Sequence, residues 1–198
     1  MTLDLFLAMV GFTTVTAFTP GPNTIMVTAS GVNFGFMRTL PHMCGITLGF
    51  LAMVIGCAAG LGAVLTAFPA LQIVLKVAGG LYMLWLAWKI ATARPSGDQQ
   101  GEIPKPLTFW QAALFQWVNP KAVIVAISAI AIYVSPDRWF ADLALLLTVF
   151  AIVTILSVVA WTGFGVVLRR VLANERVARI FNWTMAALLV ISIVPMVI

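Results

Sequence analysis

The chain has 198 residues, of which 62% are hydrophobic and only 9% charged, and its mean hydropathy is +1.08. A soluble domain carries about 25% charged residues, and one of this size could not cover its surface with 11 Lys and Arg and 6 Asp and Glu. The composition therefore describes an integral membrane protein and sets the soluble enzyme classes aside. The net charge of +5 does not point to nucleic acid, because the basic residues sit thinly between apolar segments, as loop charges of a polytopic protein do.

About 20 apolar residues are needed per membrane crossing. The polar breaks leave six such segments, at 3–25, 40–66, 70–91, 108–134, 139–167 and 178–197, so the expected fold is all-α with six transmembrane helices. The first begins Met1-Thr2-Leu3-Asp4, without a basic n-region or a later small-x-small cleavage site, and reads as a retained span rather than a signal peptide. It runs into Phe18-Thr19-Pro20-Gly21-Pro22-Asn23. A continuous helix from Leu3 to Met37 would measure about 50 Å against a hydrocarbon core of about 30 Å. A break or a strong tilt is required, unless the part after Ser30 is an amphipathic turn at the surface. Proline has no N–H and clashes with the carbonyl four residues back, so Pro20 and Pro22 are expected to free the carbonyls of Thr16 and Phe18 and to leave a half-helix N-terminus after Pro22.

In the second span His42, the only histidine, follows Pro41. It titrates near neutral pH and is read either as an interfacial residue or as a proton relay. Gly45, Gly49, Gly56 and Gly60 form two GxxxG spacings, a packing face for a neighbouring helix. Cys44 and Cys57 lie on nearly opposite faces if they share a helix, and no disulfide is expected. The third span opens with Lys76, which can snorkel, and contains Gly79-Gly80, read as packing residues like Gly163 and Gly165 of span five. The hydrophilic linker at 92–107 then divides a first unit, 1–91, from a second, 108–198, within a single membrane domain.

Span four carries Trp117-Val118-Asn119-Pro120-Lys121, with Pro120 expected to free the carbonyl of Gln116. Lys121 lies about 20 Å into that span, too deep to snorkel easily, and an ionisable group at such depth is a functional candidate. It is suited to holding a carboxylate, to proton coupling, or to reaching a freed carbonyl. Asp4 and Asp142 open spans one and five and are expected among the headgroups. Trp85, Trp88, Trp110, Trp139 and Trp161 fall mostly near span ends, where aromatic belts form, while Trp117 adjoins the break.

Basic loops stay cytoplasmic. Arg38, Lys89, Arg94, Lys105, Arg169, Arg170, Arg176 and Arg179 follow spans one, three and five, whereas only Lys76 and Arg138 lie on the other side. Both termini are thus expected outside, with the 92–107 loop in the cytoplasm. Two three-span halves of odd crossing number must be inverted relative to each other if they are related, and each begins with a span broken by Pro beside Asn. Half-helix N-termini attract carboxylates, and Asn23 and Asn119 can donate and accept without charge. Their other role is to satisfy the freed carbonyls. Pro20, Gly21, Pro22, Asn23, Asn119, Pro120 and Lys121 form the candidate translocation site for a small polar solute, with Lys121 and His42 as candidates for proton coupling.

No nucleotide-binding loop, HExxH, Cys/His cluster or G-x-S-x-G elbow is present, so neither a catalytic constellation nor a metal or cofactor site is expected. A cation efflux protein would want acidic or histidine ligands along its path, and a membrane scaffold would have no use for paired broken helices. Both remain the alternatives to a carrier.

Thr19-Pro20-Gly21-Pro22-Asn23, Gly35-Phe36-x-Arg38, Gly45-x-x-x-Gly49, the GLYMLWLAWK run ending span three and Val118-Asn119-Pro120-Lys121 occur in order along nearly the whole chain. Together they resemble the LysE/RhtB family of amino-acid exporters. The resemblance implies a six-span inner-membrane carrier, often dimeric, that exports amino acids or their derivatives using the proton motive force. The WLAWKIAT stretch and short central loop look like the branch exporting cysteine and O-acetylserine; other branches handle threonine, homoserine, homoserine lactone or leucine. Lysine and arginine exporters of the family carry an acidic residue after the span-two glycine motif, where this chain has Gly45-Ile46-Thr47-Leu48-Gly49-Phe50. A neutral amino acid is therefore the implied substrate.

Overall fold

The computed structural model describes residues 2–61, 69–93, 105–171 and 174–194, and these are helical without a strand. In chain order the helices are α1 (Leu3–Phe18), α2 (Pro22–Phe34), α3 (Phe36–Gly56), α4 (Pro69–Ala91), α5 (Phe109–Val118), α6 (Pro120–Tyr133), α7 (Trp139–Val171) and α8 (Glu175–Ile191). A π-helical turn, Cys57–Leu61, continues α3, and a 3-10 turn, Pro136–Arg138, leads into α7. Local chemistry sets several starts. Thr2 accepts from the Leu5 N–H at 3.4 Å, Thr108 and Gln111 cap α5 reciprocally at 3.3 and 3.0 Å, and Asn174 accepts from the Arg176 N–H at 2.9 Å.

Large apolar side chains cover the outside as well as the core, and several polar ones are buried. Thr13, Thr28, Asn33, His42, Gln116, Asn119 and Asn182 are buried, while Leu48, Ile124, Phe140 and Ile152 are more than half exposed. Hydrocarbon around the bundle makes that arrangement favourable, since apolar side chains can face lipid and polar ones cannot. One apolar cluster, with Met9, Met53, Leu146 and the edge-to-face pair Phe50–Phe150 at 4.9 Å, joins α1, α3, α6 and α7. A second, with Met26, Met83, Phe115 and Leu189, joins α2, α4, α5 and α8.

Among the described residues, two helices are long and apolar enough to cross a membrane: α3 extended through Gly60, and α7 with its preceding turn. The number rises to four if each bent pair, α1–α2 and α5–α6, is one span. The sequence expectation was six. The other two expected spans, 70–91 and 178–197, include residues outside the described ones.

Close helix crossings use glycine. A Cβ at Gly45 would run into the Phe109 carbonyl and one at Gly49 into Ala113 Cα, so α3 and α5 meet backbone to backbone. Gly31 faces the Thr162 carbonyl and Gly165 the Thr28 carbonyl in the same way, seating α2 on α7. Gly60 has open space around it and a φ of 106°, so its role is to let the chain turn, not to bring helices together. The side chain of Lys76 and the loop at 94–104 lie outside the described residues.

Candidate functional site

The two broken spans bend by 53° and 66°. In the first, α1 ends at Phe18, Gly21 caps α2 in an extended conformation, and Pro22 occupies the first helical position, where a missing N–H costs nothing. Thr24 fixes this turn, accepting from the Gly21 N–H at 2.8 Å and donating to the Gly21 carbonyl at 2.9 Å. In the second, Asn119 ends α5 and begins α6, with Pro120 at the first position. The N–H groups of Asn23 and Thr24, and of Lys121 and Ala122, precede the first intrahelical donors, Ile25 and Val123.

The breaks meet. Asn23 donates to Gln116 Oε1 at 2.8 Å, and Gln116 returns a bond to Asn23 Oδ1 at 3.2 Å while also donating to the Ala112 carbonyl at 2.9 Å. Lys121 Nζ donates to the Thr19 carbonyl at 2.6 Å, and its side chain lies over Gly21, where a Cβ would stand 3.1 Å from Lys121 Cδ. Glycine at 21 thus leaves the space that the lysine fills. Ser157 of α7 donates to the Ala17 carbonyl at 2.8 Å. Two carbonyls beside the first break, those of Ala17 and Thr19, are thus satisfied from α7 and α6. The Gln116 carbonyl expected to be freed accepts from the Asn119 N–H at 3.3 Å.

A cavity of about 90 Å³ lies at this junction, lined by both breaks together with α1, α3 and α7. Among the described residues its single charged lining residue is Lys121, and no carboxylate borders it. Two buried polar atoms of its lining residues have no partner within the protein, Asn119 Oδ1 and Trp161 Nε1. One is an acceptor and the other a donor. A zwitterion offers the complementary pair, an ammonium for the first and a carboxylate for the second, in reach of the half-helix N-termini.

The sequence reading placed Trp161 near a span end; the structure puts it on this cavity. The side chains of Gln116 and Ser157 were not singled out, although a glutamine one turn before a break inside an apolar helix was a usable signal. His42 is fully buried, away from the helix surface, and lines a different cavity from Lys121. Asp142 is likewise buried, accepting from the Ser135 hydroxyl at 2.7 Å and N–H at 3.3 Å, since these groups replace the headgroup water it would otherwise need. Both cysteines are free, Cys44 exposed and Cys57 buried.

A family model described as LysE type translocator matches residues 14–194. The chain is 34% identical over 194 residues to a cysteine/O-acetylserine efflux protein of Salmonella typhimurium (strain LT2) and 33% identical to one of Escherichia coli (strain K12), in each case covering 96% of both chains. No solved structure matches.

Proposed function

Because the chain belongs to the LysE translocator family, and so to a family of membrane transporters, we propose that it is an inner-membrane secondary carrier exporting small neutral amino acids of the cysteine and O-acetylserine type. Export of amino acids is what the efflux relatives support. The substrate class within that rests on one observation: a cavity free of carboxylates in which a buried acceptor on Asn119 and a buried donor on Trp161 lack partners beside two half-helix N-termini. A zwitterion satisfies both atoms; a cationic side chain would meet only Lys121.

In this reading the two halves, 1–91 and 108–198, are inverted repeats of three spans each, the linker at 92–107 is cytoplasmic and both termini are outside. Asn23, held by Gln116, keeps the two breaks in register. Lys121 holds the first break closed through Thr19 and can exchange that carbonyl for a substrate carboxylate. Such an exchange supplies the differential binding that alternating access needs. The proton motive force drives the cycle, and a homodimer is the proposed assembly.

Uptake by inside-out vesicles tests this, using labelled O-acetylserine, cysteine, threonine, homoserine, leucine and lysine with and without an imposed pH gradient. Gradient-dependent accumulation of small neutral compounds is expected. Accumulation of lysine alone, or of none, overturns the proposal.

A further inference from the structure

A second and larger cavity, about 500 Å³, opens at the linker end of the bundle between α2, α3, the end of α4 and residues 105–107. It is separated from the central cavity by α2, whose Asn23, Thr24 and Val27 face one cavity and whose Met26, Ala29 and Ser30 face the other. Among the described residues its lining carries Lys89 and Lys105 and no carboxylate. Deeper in the wall stands His42, fully buried, with neither ring nitrogen bonded to any protein group. A neutral imidazole has one donor and one acceptor, and burying both without partners is costly. The wall around it is otherwise satisfied. Ser30 and Thr39 share a hydroxyl bond of 2.9 Å, and Asn33 and Asn182 exchange amide bonds at 3.0 and 3.3 Å, with Asn182 also donating to the Ala93 carbonyl at 2.9 Å.

We propose that this cavity is a loading station for the amino acid before it reaches the central site: Lys89 and Lys105 draw in its carboxylate, and His42 bonds its polar groups inside. This rests on the exporter reading above. Two cations at the mouth of a low-dielectric cleft focus their field into it and raise the local concentration of an anionic group. The histidine then offers the ligand bonds that no protein group supplies. The cavity is several times larger than the central one, which suits a weak first stop rather than a tight site.

The test is labelled O-acetyl-L-serine flux in oriented vesicles, measured from each side, for wild type, Lys89→Gln/Lys105→Gln, His42→Phe and the control Arg38→Gln, an exposed cation at the same end outside the cavity. In the lysine pair the half-saturating concentration at the linker side should rise about tenfold, with the maximal rate kept and the opposite side unchanged. Moderate salt should abolish the difference from wild type. His42→Phe removes no protein bond, so its thermal midpoint should not fall, while its half-saturating concentration rises at the linker side only. Arg38→Gln should match wild type. Wild-type flux with unaltered half-saturation in both sets of cavity variants, or an equal shift in Arg38→Gln, overturns the loading station and leaves the exporter standing. Absence of wild-type flux removes both.

Discussion

Gly163 and Gly165 sit two residues apart in α7, and the geometry assigns opposite outcomes to the same substitution. A Cβ at Gly163 meets nothing within 4 Å, whereas one at Gly165 collides with the Thr28 carbonyl oxygen and stands 3.1 Å from both the Thr28 carbonyl carbon and the Val32 nitrogen. Those are backbone atoms of α2 and cannot rotate away. Gly→Ala in a helix interior gains about 0.5–1 kcal/mol, and overpacking a close contact costs about 1–3 kcal/mol. Gly163→Ala is therefore expected to stabilise by up to about 1 kcal/mol, and Gly165→Ala to destabilise by about 1–2 kcal/mol net. For a chain of this length the second is a fall of about 2–8 °C in thermal midpoint. Unfolding of the purified proteins, followed by loss of the monodisperse chromatographic peak after heating, measures both. If Gly165→Ala is as stable as Gly163→Ala, α2 and α7 are not held at backbone contact.

Removing one member of the Asn23–Gln116 pair leaves the other amide unbonded, so Asn23→Ala and Gln116→Ala should each cost about 1–3 kcal/mol, and the double variant less than their sum; additive midpoint losses would show that the amides do not act as a pair. Asn119→Ala deletes an acceptor with no protein partner, so the fold should hold while substrate affinity drops; wild-type flux kinetics in this variant would detach Asn119 from the path. Lys121→Met loses the bond to the Thr19 carbonyl and should lower transport and alter its dependence on the pH gradient. Unchanged rate and gradient dependence would make Lys121 a structural residue.

The breaks were legible because they follow from covalent structure: proline has no N–H wherever the chain goes, and Pro20, Pro22 and Pro120 stand in otherwise apolar spans. Which side chains would satisfy the carbonyls at the first break was not legible, because the donors come from elements distant in sequence. Thr19 and Ala17 are exposed by the end of α1 at Phe18 and are met by Lys121 and Ser157, more than a hundred residues away in sequence. The same distance hid the Asn33–Asn182 exchange and the meeting of Asn23 with Gln116. Glycine spacing showed a packing face without its partner. Gly45 and Gly49 press on α5, while Gly60, in the same spacing pattern, serves a left-handed turn, a distinction made by φ and not by sequence.

Taken with the proposed inverted repeat, the glycine contacts also describe an asymmetry between the two sides of the breaks. Inversion matches α1 with α5, α2 with α6, and α3 with α7, so the α2–α7 crossing should have its counterpart in α6–α3, and the α5–α3 crossing in α1–α7. The first member of each pair is closed at backbone contact through Gly31, Gly165, Gly45 and Gly49. The second members make less extensive contact. Both tight crossings involve the half-helices on the linker side of their breaks, α2 and α5. The central cavity is bordered by the start of α2 and also by α1 and the start of α6, the half-helices on the far side, through residues such as Thr13, Thr16, Ala122 and Val125. The close crossings therefore lie on the linker side of the breaks and the looser ones beyond them. In the proposed alternating carrier, α2 would leave α7 and α5 would leave α3 while their counterparts close. Small residues at just those two crossings make each a contact that forms or parts over a short movement, without the repacking that interlocked large side chains would demand.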